Sequence, residues 1–104
     1  MREAIVLLAE RRGTVAVVDA EARLVGVLTT GDLTRLMERE EHFFPVVVSE
    51  VMTRTPGWTS ADELAATAVG LMERRGIMAL PVLDAERRVV GMAHLHDLMR
   101  AGAV

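Results

Sequence analysis

Two short stretches, one in each half of the chain, carry side chains able to do chemistry. Thr29-Thr30-Gly31-Asp32 sets a hydroxyl three residues ahead of a carboxylate, where an apolar strand gives way to a helix. The free N–H groups of a helix start attract an anion, and a carboxylate accepts hydrogen bonds from sugar hydroxyls, so the pattern suits a phosphorylated ribose. Thr and Asp are also ordinary capping residues, and capping alone accounts for both. Both readings stay open at this point. His94-Leu95-His96-Asp97 is the second stretch. Histidines at i and i+2 of a strand share a face and can hold zinc. The remaining histidine, His42, is far away in sequence and spacing supplies no further ligand, so a polar or phosphate-facing role for His94 is preferred to a metal site. A small metal-dependent enzyme built on His94, His96 and Asp97 is the alternative. Trp58, the only tryptophan, can stack on a base or sugar, although a lone Trp more often fills a core or an interface. The methionines, such as Met72 at helical spacing, read as packing material.

The elements that position these residues form a repeat, which has to be sought before any fold is assigned. Arg11-Arg12-Gly13 recurs as Arg74-Arg75-Gly76, Val15–Asp19 as Leu80–Asp84, Leu24–Val27 as Val89–Met92, and Asp32-Leu33 as Asp97-Leu98. The offset is 63 at the glycines and 65 at the aspartates, so Ile77 and Met78 are read as an insertion. In the second copy, Leu64, Ala65, Ala68, Leu71 and Met72 share one face of a helix expected over 61–75, with Ser60 as N-cap and Gly76 as C-cap. Strands are expected at 79–83 and 89–95, joined by a hairpin turn, and a last helix at 97–100. The first copy predicts a helix over 2–12, strands at 15–18 and 24–29, and a helix from Asp32 to about Arg39. A lead-in over 50–59, with a turn at Pro56-Gly57, precedes the second copy, and the first has no equivalent. The first copy therefore lacks a strand, and its sheet edge is left for another segment or another chain to cover.

Composition narrows the function. The chain has 104 residues and a net charge of −3, with acids interleaved among its arginines, which argues against a nucleic-acid partner. The absence of cysteine excludes disulfides, thiolate metal sites and cysteine nucleophiles, and suits a reducing, cytoplasmic setting. The apolar runs are too short to span a membrane, and no signal-peptide pattern opens the chain. No nucleophile, base and orienting residue are arranged for acyl transfer, and no Walker or dinucleotide fingerprint is present. The reading is a binding domain with no catalytic residues. Ile5-Val6-Leu7-Leu8 is broader than one buried stripe requires, so another subunit is expected to cover part of the first helix.

The β-α-β-β-α repeat, with Leu-Pro-Val-x-Asp before the hairpin and Gly-h-x-Thr-x-x-Asp after it (h apolar), resembles the CBS domain, usually found as a tandem pair. Gly26–Asp32 fits the second motif, and Gly91–Asp97 fits it apart from His94 in the Thr slot. The ending His94–Gly102 is similar to that of arabinose 5-phosphate isomerases of the lipopolysaccharide pathway, in which a sugar isomerase domain precedes a CBS pair. The resemblance implies an α/β (α+β) fold with two modules, 1–44 and 45–104, forming one compact pair whose first repeat lacks its N-terminal strand. It implies a detached regulatory tail that senses a nucleotide or nucleotide-sugar, an adenine or cytidine nucleotide among the candidates, with no cofactor and with an isomerase domain in cis or trans. It gives Thr29 a phosphate-contacting and Asp32 a ribose-contacting role. The candidate ligand residues are thus Thr29, Asp32, His94, Asp97, Trp58 and, on the Leu-Pro-Val-x-Asp motif, Pro81. An oligomerisation module with degenerate clefts is the competing function. Ala22 and Arg87 stand where the family often has Gly, which predicts either a different turn or some strain.

Overall fold

The computed structural model describes residues 1–63 and 65–100. The element order is α1 (Arg2–Glu10), β1 (Thr14–Val18), β2 (Leu24–Thr29), α2 (Thr30–Arg39), a 3₁₀ turn (Val48–Glu50), β3 (Thr59–Ser60), α3 (Ala65–Arg75), β4 (Ala79–Leu83), β5 (Val89–His94) and α4 (Leu95–Arg100). This is the expected interleaving of helices and strands. β1 and β2 form a two-stranded sheet, and β3, β4 and β5 a three-stranded one. The extra strand β3 runs parallel to β4, with Thr59 opposite Val82 and Ser60 opposite Leu83. β4 and β5 are antiparallel, with Ala79 opposite His94 and Pro81 opposite Met92. Among the described residues no third strand pairs with β1. Leu83, beside β3, is 1% exposed, whereas Val18, its counterpart 65 residues earlier, is 43% exposed.

The described residues divide into two compact units, one of 1–17 and 25–56, the other of 18–24, 57–63 and 65–100. In the first unit, Ala4 and Leu8 of α1 pack with Leu28 of β2, flanked by Val15, Leu33, Val48 and Val51. In the second, Ala68 and Met72 of α3 pack with Leu80 of β4, flanked by Leu71, Ile77, Leu95 and Leu98. Each pair of helix residues is spaced i, i+4, as a buried stripe requires.

These cores correct the count of the repeat. Ala4 and Leu8 correspond to Ala68 and Met72 at an offset of 64. The helix ends agree: the N–H of Gly13 donates to the Leu8 carbonyl, and that of Ile77 to the Met72 carbonyl, the long closing bond of a Schellman cap. The left-handed residue before each donor is Arg12 (φ 61°) in one copy and Gly76 (φ 66°) in the other. Arg12 is therefore the structural counterpart of Gly76, and one residue, not two, separates the copies. The start of α3 also differs from expectation. Ser60 is the last residue of β3, its carbonyl accepting from the Glu63 N–H, and the described helix begins at Ala65. The position expected for Leu64 lies outside the described residues.

Both hairpins are closed in the same way. Asp19 Oδ1 accepts from the N–H groups of Glu21 and Arg23, and Asp84 Oδ1 from those of Glu86 and Arg88. The third loop residue then turns left-handed, Ala22 at φ 66° and Arg87 at φ 65°, where glycine is the unstrained choice. Strain is thus the outcome at both turns. Each carbonyl of these residues is used within the second unit: Ala22 accepts from the Val89 N–H at 2.9 Å, and Arg87 from the Leu24 N–H at 3.1 Å.

The Asp84 carboxyl is held below the ordinary carboxylate range, first by the backbone N–H of Arg88; partial desolvation opposes this, and the Arg88 guanidinium, 2.8 Å away, reinforces it. A carboxyl depressed in the folded state adds stability that is complete above its unfolded pKa and is lost as pH falls through the lowered value. Asp84→Asn is accordingly expected to flatten the acid limb of a plot of melting temperature against pH by lowering the neutral plateau, while the values below the depressed pKa stay close to those of wild type. Circular-dichroism melts between pH 2 and 7 measure this directly.

Candidate functional site

In the first unit the site is built where β2 meets α2. Leu28 and Leu36 are completely buried on either side, fixing the strand end and the helix in place. Thr29 keeps extended backbone (φ −118°, ψ 165°) and is the N-cap of a helix that starts at Thr30, two residues earlier than expected. Its hydroxyl accepts from the Asp32 N–H at 3.2 Å, and its own N–H donates to Asp32 Oδ2 at 2.9 Å. This reciprocal pair is a capping box. Asp32 Oδ1 accepts from the Arg35 guanidinium at 2.6 Å. Asp32 is the buried carboxylate among the described residues, 7% exposed. A carboxylate has about four lone-pair sites, so the cap does not exhaust its capacity to accept further bonds.

The neighbouring turn is tied to this point. The Thr30 N–H donates to the Gly13 carbonyl at 3.0 Å, and a Cβ at Gly13, which is at φ 86°, would stand 2.9 Å from Thr30 Oγ1. An open groove of about 490 Å³ runs alongside, lined by Ile5, Leu8, Arg12, Gly13, Thr30 and Leu33.

The second unit repeats the junction with other chemistry. His94 ends β5, and the Leu95 N–H donates to the Met78 carbonyl at 2.8 Å, as Thr30 does to Gly13. Asp97 pairs with Arg100, and its side chain is 45% exposed against 6% for Asp32. Trp58 sits elsewhere. It lines a pocket of about 190 Å³ with Thr59, Glu63, Thr67, Ala68, Leu71 and Arg74, and neither His94 nor Asp97 is in that lining. The Arg87 guanidinium lies 5.3 Å from the Trp58 ring centre. The Thr59 hydroxyl is buried in the pocket wall without a hydrogen-bond partner. Pro81 is fully buried in β4. Among the described residues no cluster of three His, Cys, Asp or Glu side chains is close enough to hold a metal ion, and no helix is long and apolar enough to cross a membrane.

Sequence reasoning singled out the aspartates but missed their arginines. Asp32-Leu33-Thr34-Arg35 and Asp97-Leu98-Met99-Arg100 repeat 65 residues apart, and the i, i+3 spacing that lets them pair was visible in the sequence.

Comparison with known proteins bears on this duplicated junction. The family model described as the CBS domain matches residues 1–39 and 48–104, both copies of the repeat. The chain belongs to the CBS domain family. As a CBS pair it superimposes on the CBS domain pair of protein MJ0100, solved in complex with 5′-methylthioadenosine and S-adenosyl-L-methionine, with a TM-score of 0.84 at 27% identity over 97% of this chain and 79% of that one. It is similar to the same extent in sequence to CBSX2, solved in complex with AMP, with a TM-score of 0.81 and the same coverages of 97% and 79%. Among curated proteins it is 40% identical over 92 residues to the arabinose 5-phosphate isomerase KdsD of Pseudomonas aeruginosa, covering 88% of this chain and 28% of that protein. It is 34% identical over 100 residues to KdsD of Francisella tularensis, covering 96% and 31%. The CBS pair thus spans about a third or less of these relatives' length.

Proposed function

We propose that this CBS pair is a regulatory module that binds a nucleotide or nucleotide-sugar and passes its occupancy to an arabinose 5-phosphate isomerase domain, in cis or in trans. The observation that carries the reading is the junction at Thr29–Asp32: a buried carboxylate, three residues from the cap hydroxyl, at the positive end of a ten-residue helix. That arrangement offers one group to a ribose diol and another to a phosphate. Solved relatives named for AMP and S-adenosyl-L-methionine complexes support a nucleotide as the ligand class. In this reading residues 1–44 and 45–104 are the two modules of a cytoplasmic homodimer, Thr29 and Asp32 bind in the first, and His94 and Asp97 serve the second, whereas Trp58 lines a separate pocket and Pro81, fully buried, packs the strand beneath. The chain works as the regulatory region of its isomerase, and supplies no catalytic group of its own.

A second reading, an oligomerisation module with degenerate clefts, is favoured by one observation: the cap and the Arg35 pair already satisfy Thr29 and Asp32 without a ligand. Thermal unfolding with AMP, CMP and a cytidine-linked sugar acid distinguishes the two. A ligand at about 100 times its Kd stabilises the folded state by about 2.7 kcal/mol, which raises the melting temperature of a domain this size by roughly 10 °C or more. No shift with any of the three at millimolar concentration leaves the oligomerisation reading.

A further inference from the structure

We infer that Arg35 is a two-position arm: counter-ion to Asp32 while the site is empty, and clamp on the ligand's phosphate once a ribose takes the carboxylate. The inference rests on the proposed nucleotide site and adds how that site selects a phosphorylated ligand.

The position of the guanidinium supports it. Asp32 Oδ2 already accepts from the Thr29 N–H and Oδ1 from Arg35 Nη2 at 2.6 Å, so a diol that bonds both oxygens meets the guanidinium at Oδ1. The Arg35 side chain is folded back over the first turn of α2, with Nη1 only 3.4 Å from where a Cβ on Gly31 would stand. A larger residue at Gly31 would crowd it. Of the first-turn amides, that of Thr30 is taken by the Gly13 carbonyl and that of Asp32 by the Thr29 hydroxyl, which leaves the Gly31 N–H, on the residue the guanidinium approaches, without a partner among the described residues. An anion drawn to that amide would lie beside Arg35 without any rearrangement of the backbone.

The energetics allow the exchange. Arg35 is 68% exposed, and an ion pair with one such member is weak, so a diol displaces it at little cost. A guanidinium on a phosphate makes two parallel charge-assisted bonds and is the stronger contact. The released arm therefore has a better partner only when the ligand carries a phosphate. The pairing recurs in Asp97–Arg100, but there the carboxylate is far more exposed and water competes for it, which puts the discrimination in the first copy.

The test is calorimetric titration of the full chain, wild type, R35Q and R35K, with AMP and with adenosine. Wild type is expected to prefer AMP about tenfold or more, the range of a hydrogen bond to a charged group. In R35Q adenosine should bind about two- to fivefold more tightly, since an exposed pair no longer competes for Asp32, and the preference for AMP should fall about tenfold. R35K, which keeps the charge but not the fork, should lie between the two. If wild type binds AMP and R35Q keeps the same AMP-to-adenosine ratio, the role of Arg35 is overturned and the nucleotide site stands. If wild type binds neither of these, nor CMP or the cytidine-linked sugar acid, the nucleotide site itself is overturned. Because Arg35 is exposed, both variants should melt within a few degrees of wild type, which confirms that they fold.

Discussion

Asp32→Ala is expected to lower stability by about 2–4 kcal/mol and to abolish nucleotide binding at the first junction. The stability loss has three sources of unequal size. The bond from the half-buried Thr29 N–H to the ionised carboxylate is the largest, at about 1.5–3 kcal/mol for a hydrogen bond to a charged group. Loss of a negative charge in the first turn of α2 adds about 0.3–1 kcal/mol. The pair with exposed Arg35 adds little. For a domain of this size the sum lowers the melting temperature by roughly 10 °C or more. Asp32→Asn separates the two roles, because the amide oxygen can still accept from Thr29 while the charge is gone. It should retain most of the stability and still bind nucleotide weakly, and urea denaturation alongside calorimetry would show both. Equal loss of stability in Asn and Ala variants would mean that charge, and not the cap bond, holds the helix start.

The second large effect is expected at a glycine. Gly26 and Gly91 occupy the same place in the two copies of the Gly-h-x-Thr-x-x-Asp motif, and sequence alone treats them alike. A Cβ on Gly26 would stand 2.6 Å from Met52 Sδ and 2.8 Å from the Thr53 carbonyl oxygen. The methionine can move, but Thr53 cannot easily do so. Its backbone is bonded in both directions to Val27, at 2.8 and 3.0 Å, as an isolated antiparallel bridge. Gly26→Ala must therefore break that bridge or bend β2, at about 2–4 kcal/mol from overpacking and lost hydrogen bonds together. Around Gly91 no atom lies within 4 Å of the corresponding position. Gly91→Ala should be neutral or stabilising by up to about 1 kcal/mol, because alanine loses less backbone freedom in a strand. Paired urea titrations of the two variants give the difference from their midpoints at unchanged slope. Similar costs at the two positions would show that strand propensity, and not the lead-in segment, governs both.

The strands were the most legible part of the fold. 24–29 and 79–83 were read to the residue because short aliphatic runs between charged turns have few other structures open to them. Helix starts were less legible. Ser60 has the chemistry of a cap, but parallel pairing with β4 claims it as strand, a long-range preference that local spacing does not carry. The offset was misjudged because the eye aligns glycines, whereas the left-handed cap position is filled by Arg12 in one copy and Gly76 in the other. At the candidate site, Thr29 and Asp32 were visible as a motif, and both of their readings survive in the geometry as cap and as buried carboxylate. Arg35 was passed over because exposed arginines are common and nothing in one copy alone marks this one. The crossing of Met52 and Thr53 over Gly26 was hidden, since a single bridge between segments 26 residues apart leaves no periodicity to read.

The paired turns at Ala22 and Arg87 make each repeat depend on the other. Each left-handed residue offers its carbonyl to the strand that follows the other, Ala22 to Val89 and Arg87 to Leu24, and the two bonds exchange places under the 65-residue offset. A contact in which i touches j while j touches i is the form of an isologous interface between identical subunits. Inside one chain it means that a change at either turn acts on a bond that the strand of the other repeat depends on.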